Sequence, residues 1–134
     1  SMWSLGRTKI LEEPAKYITH LDHLTLQIWD DNAEDNDIVD IYLDGALFES
    51  NFVIQNKYDK KKKKDKPIKE IIIPMSDIGK VRKIELIAVS QGKYAECTMR
   101  LRIPEIKELA TDRGIDVHMR TKQKTTLTIK RVEK

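Results

Sequence analysis

The sequence predicts an all-β fold: an antiparallel β-sandwich of about eight short strands, immunoglobulin-like or jelly-roll-like in architecture, with at most one short helix near 105–112. Three observations predict it. Apolar residues recur at every second position in segment after segment, the period expected when one face of a sheet is buried. Turn residues separate these segments at short intervals, above all Asp44-Gly45, Gly79, Gln91-Gly92 and Gly114. No segment of helical spacing stands between successive strands, which argues against a parallel sheet built from βαβ units.

Taken in order, HLTLQIW alternates Leu24, Leu26 and Ile28 with Thr25, Gln27 and Trp29. In the segment 38–43, Val39, Ile41 and Leu43 form one row while Ile38, Asp40 and Tyr42 form the other. Asp44-Gly45 suits the positive φ values of a two-residue hairpin, so the chain should double back into a strand over 46–55. Three consecutive isoleucines before Pro74 favour a strand over 69–73, because β-branched side chains are stiff at χ1. The stretch 76–80 is a loop. Strands follow over 83–89, with Ile84, Leu86 and Ala88 in one row, and over 96–103, with Cys97, Met99 and Leu101 in one row. Pro104 ends that strand, and EIKELATD over 105–112 is the only stretch with a turn of helical spacing. Ile115, Val117 and Met119 alternate in the next strand, and 125–132 closes the domain.

With 134 residues, 40% hydrophobic and 35% charged, the chain suits one soluble globular domain with a highly charged surface. Ser1 and Met2 read as a cloning remnant, 3–22 as an N-terminal segment, and 23–134 as a single sandwich domain with a lysine-rich loop at 57–69. No apolar run approaches the roughly 20 residues of a membrane-spanning helix. One cysteine excludes an internal disulfide, and Cys97 falls in the alternation of a strand, where it reads as a small buried hydrophobe.

The formal net charge of +3 is small, but the charge is unevenly placed. Seven acidic residues and no basic one lie between Asp30 and Asp44, whereas eight lysines lie between Lys57 and Lys69. Calcium takes six to eight oxygens, and Asp30, Asp31, Glu34, Asp35 and Asp37 could supply them from one loop. The spacing is not that of an EF-hand, since Asp35 stands where its glycine would be. Turn-capping carboxylates are the structural alternative.

The lysine block reads as a solvated, flexible hairpin tip or as an electrostatic contact for an acidic polymer or anionic lipid, through Lys60, Lys61 and Lys62 with Tyr58 beside them. With Tyr58 alone for stacking, sequence-specific nucleic-acid recognition is not expected. Trp29 suits packing at the sandwich edge or an aromatic platform for a ligand. His20, His23 and His118 are too scattered for a shared metal, and they assemble no triad with Cys97, so no enzyme is expected.

The run LTLQIWDDNAEDNDIVDIYLDG, followed by KIELIAVSQGKYAECTMRLRI and IDVHMRTKQKTTLTIKR, resembles a repeated β-sandwich module of exported and surface proteins of the Bacteroidetes. Trp29, Asp30, Asp35, Asp37, Gly45, Ala88 and Gly92 stand at positions matching its pattern, over 24–131. Asp44 stands where asparagine is usual, Ser90 replaces an asparagine of the second loop, and the lysine insertion and 105–113 are private to this chain. The resemblance implies a non-catalytic binding or structural module of a secreted, periplasmic or cell-surface protein, acting through loops or a sheet edge on a protein or surface polysaccharide. A calcium-dependent or carbohydrate-binding module is the alternative, and the sequence itself leaves a cytoplasmic home open.

Overall fold

The structure, a computed structural model, describes residues 15–30, 37–90 and 96–134. Eleven strands are present among them: β1 (Tyr17–Thr19), β2 (His23–Trp29), β3 (Ile38–Leu43), β4 (Ala46–Val53), β5 (Tyr58–Asp59), β6 (Lys64–Asp65), β7 (Glu70–Pro74), β8 (Val81–Ser90), β9 (Cys97–Arg102), β10 (Ile115–Met119) and β11 (Lys124–Arg131). A five-stranded sheet runs β1-β11-β8-β3-β4, a four-stranded sheet runs β10-β9-β2-β7, and β5 and β6 form a separate two-stranded ribbon.

The two large sheets bury their alternating rows against each other. Leu24, Leu26, Ile28, Ile71, Ile73, Met99 and Leu101 come from the four-stranded sheet; Val39, Ile41, Ile84, Leu86, Ala88 and Ile129 come from the five-stranded one. Cys97 lies fully buried in this core. Each of the larger side chains contributes about 1.5–3 kcal/mol by leaving water. Because the side-chain period is two, this inner row fixes strand register. The expected fold class therefore holds: the chain is an all-β sandwich.

Three features depart from the expectation. The sequence reading counts eight strands and leaves 17–19 in the N-terminal segment, yet Tyr17, Ile18 and Thr19 pair in parallel with Ile129, Lys130 and Arg131. Alternation over three residues is too short to register as a strand, and its partner lies more than a hundred positions away. The lysine block, expected as a loop with a hairpin tip, contains two short paired strands, β5 and β6, that the sequence reading did not count. The helix expected over 105–112 shrinks to one 3-10 turn at Lys107–Leu109, with Ile106 and Leu109 buried.

That segment nevertheless has a structural task. β9 pairs with β2 only from Gln27 to Trp29, so β2 has no strand partner on that side at Thr25. The Glu105 carboxylate accepts the Thr25 backbone N–H at 2.9 Å and its hydroxyl at 2.7 Å, substituting for the absent strand. Replacing Glu105 with alanine should lower stability by about 1–2 kcal/mol, read in denaturant melts, with Glu105→Gln recovering part of the loss.

The Asp44-Gly45 hairpin forms as expected, with φ of 50° and 85°. Asp44 also accepts the Lys83 N–H through Oδ1 at 2.8 Å and meets Arg82 at 3.3 Å, which ties the hairpin to the start of β8.

Candidate functional site

The ribbon gathers charge at one end of the sandwich, and its attachment begins with Trp29. This residue belongs to the outer row of β2, with Thr25 and Gln27, yet it is only 1% exposed. The chain after β4 covers it. Asp30 and Asn56 form a parallel bridge, Asp30 N–H donates to Gln55 O at 2.8 Å, and Lys57 N–H donates to Asp30 O at 3.3 Å. The Lys57 ammonium then sits 4.8 Å from the centroid of the indole, a cation–π contact. On another side the indole edge meets Gly114, where a Cβ would come within 2.9 Å of Trp29 Cη2 and 2.8 Å of Leu101 O. Trp29 is thus an anchor for the ribbon, and burial withdraws it as an exposed aromatic platform.

Beyond that anchor the ribbon is built by local hydrogen bonds. Asn56 Oδ1 accepts the Tyr58 N–H at 2.7 Å, and Lys66 N–H donates to Lys57 O at 2.8 Å. Asp59 Oδ1 accepts the N–H groups of Lys61 and Lys62 at 2.9 and 3.1 Å, an Asx cap on the four-residue turn. Lys63 closes the turn in the left-handed region at φ 54°. Lys60, Lys61 and Lys62 are exposed there, and Tyr58 is 45% exposed. The hairpin tip expected of the lysine block is present, and one aspartate caps its turn by satisfying two backbone donors at once.

A cleft of about 660 Å³ opens between the base of the ribbon and the outer face of the four-stranded sheet. Lys57, Asp65 and Lys66 line it from the ribbon, Gln27, Glu70 and Arg102 from the sheet, and Asp112 from the loop before β10. A hydrogen-bonded row crosses its floor. Gln27 Nε2 donates to Glu70 Oε2 at 2.6 Å, Arg102 Nη1 donates to Gln27 Oε1 at 2.9 Å, and Arg102 Nε donates to Thr111 O at 3.2 Å. These contacts hold the guanidinium in one orientation on three strands. Sequence reading missed the cleft residues Gln27, Glu70, Arg102 and Asp112; the first three had only outward parity in their strands as a signal, and Asp112, in a loop, had none.

The acidic residues fare differently. Asp30 and Asp37 are buried at the base of the loop, with Asp37 Oδ2 accepting the Thr98 N–H at 3.3 Å. Asp31, Glu34 and Asp35 lie outside the described residues. No group of three or more potential metal ligands occurs among the described residues. His20 Nδ1 lies 3.4 Å from Val132 O and His23 Nδ1 lies 2.7 Å from Asp22 Oδ1, so these two histidines are engaged apart from each other. No helix among the described residues is long and apolar enough to cross a membrane.

The class defined by fold and surface is a two-sheet β-sandwich carrying a basic ribbon over a charged cleft. Comparison with protein-family models, with curated protein sequences and with solved structures finds no match to the chain.

Proposed function

We propose that this chain is a non-catalytic binding module of a secreted or cell-envelope protein, and that its cleft takes a polar segment of a partner protein. The observation that carries this reading is the cleft itself, where Lys57 and Lys66 and the carboxylates of Asp65, Glu70 and Asp112 share the lining with an arginine already held in place. Side chains ordered before binding lose less entropy on association. A lining of both signs suits a partner segment that also carries both signs.

Recognition through loops is favoured over recognition through a sheet edge, because three of the four edge strands, β1, β4 and β7, are blunted. β4 has two register shifts against β3, and Asn51 at φ 53° donates its N–H to Asp40 in one of them. β7 ends in Pro74, and β1 has three residues. Bulges, proline and short length all discourage an added strand. Cys97 lies in the core, away from water, which withdraws it as a thiol nucleophile.

The protein immobilised as bait should retain a specific protein from the envelope fraction of its organism of origin, and the pair Lys66→Glu and Asp112→Lys should release it. Retention of a polysaccharide instead would move the reading to a carbohydrate-binding module, and retention of nothing would overturn it. The alternative of a calcium-dependent module has its own measurement. If the acidic loop held calcium, a hundredfold excess over Kd would add about 2.7 kcal/mol to stability, visible as a raised Tm that a chelator reverses. The binding-module reading expects the same melting curve in calcium and in chelator.

A further inference from the structure

We propose that the lysine turn at the end of the ribbon is a contact for an anionic lipid surface, separate from the cleft and independent of the cleft's partner. From 57 to 66 the ribbon holds seven lysines and two aspartates. Both aspartates are engaged: Asp59 caps the backbone of the turn, and Asp65 lies 4.0 Å from the Lys57 ammonium. Lys60, Lys61, Lys62, Lys63 and Lys64 are all exposed, and no carboxylate pairs with any of them among the described residues.

A hairpin of five consecutive like charges repels itself, and its solvated coil would relieve that repulsion. Here the Asx cap, the left-handed Lys63 and the Trp29 anchor hold the turn closed, so the charge is concentrated.

The form of the turn selects the partner. Lys60 to Lys63 make up the turn itself and Lys64 opens β6, so the chain reverses direction within these residues. The five lysines are therefore gathered around a hairpin tip and do not form a row along a strand. A linear polyanion needs a concave track with cations along it, whereas a broad anionic surface can meet a tip from many directions. Tyr58, exposed on the same ribbon, is a residue type that settles at the level of lipid headgroups, with its ring toward the acyl region and its hydroxyl in water. Lysines near an anionic leaflet each strengthen binding about fivefold, and salt weakens it through screening.

Sedimentation with vesicles tests this, using phosphatidylcholine alone and phosphatidylcholine mixed with phosphatidylglycerol. The expected result is binding to the mixed vesicles only, lost at high salt, and weakened about a hundredfold when Lys60, Lys61 and Lys62 are all changed to glutamine. An unchanged melting temperature of that variant, expected for exposed positions, shows that the fold is intact; Tyr58→Ser gives a second, independent loss. Equal binding of the triple variant, or none by the parent protein at low salt, overturns the proposal. So does a duplex DNA or a sulfated polysaccharide that binds more tightly and displaces the protein from vesicles. The cleft pair Lys66→Glu and Asp112→Lys retains vesicle binding if the two surfaces act separately.

Discussion

Replacement of Trp29 by alanine is expected to cost about 3–5 kcal/mol, with a fall in Tm of roughly 10–15 °C for a chain of this size. Among the described residues the ring is the one large aromatic buried on the outer face of the four-stranded sheet, where Lys57 and the Gly114 turn enclose it. Removing it leaves a void where Lys57 of the ribbon and Gly114 now meet the ring. The ribbon should therefore loosen before the sandwich does. Limited trypsin digestion reads this directly: cleavage within 60–64 should accelerate more than the loss of global stability accounts for. Trp29→Phe should restore most of the stability. A loss below about 1 kcal/mol for Trp29→Ala would mean that the indole is not buried as described.

Gly114→Ala should cost about 2–4 kcal/mol, the sum of a left-handed backbone penalty and overpacking. Gly114 has φ 68°, and an added Cβ would stand 2.8 Å from Leu101 O, a backbone atom in β9 that cannot move alone. It would also stand 2.9 Å from Trp29 Cη2. Gly45 supplies the control, since its φ is 85° but nothing lies within 4 Å of a Cβ built there. Gly45→Ala should cost only about 1 kcal/mol. Chemical denaturation of the single variants and of Gly114→Ala combined with Trp29→Ala gives the coupling. Without the indole, the alanine meets one obstacle fewer, so the combined loss should fall short of the sum by about 1 kcal/mol.

Much of the sandwich was legible because a period of two is a local property. The rows Leu24-Leu26-Ile28, Val39-Ile41-Leu43 and Cys97-Met99-Leu101 face inward as their alternation predicts. The Asp44-Gly45 turn was legible for the same reason, since positive φ at two adjacent residues selects those residue types. The site was less legible. Trp29 shares a row with the half-buried polar residues Thr25 and Gln27, and nothing near it in sequence reveals that residues 55–57 and 114 close over it. Arg102, Gln27 and Glu70 come from three strands and meet only once β9, β2 and β7 lie side by side. Asp59 looks like one more charge in a polar block until its oxygen is seen to close the turn.

Sequence by itself determined the strand faces, the main hairpin and the uneven placement of charge, because each depends on neighbours within a few residues along the chain. Tertiary structure alone decided which strands pair, that β1 completes a sheet beside β11, that a tryptophan becomes an anchor, and that a lysine block stands as an ordered ribbon over a cleft. Those outcomes depend on residues distant in sequence excluding water and exchanging hydrogen bonds across space, which no local pattern encodes.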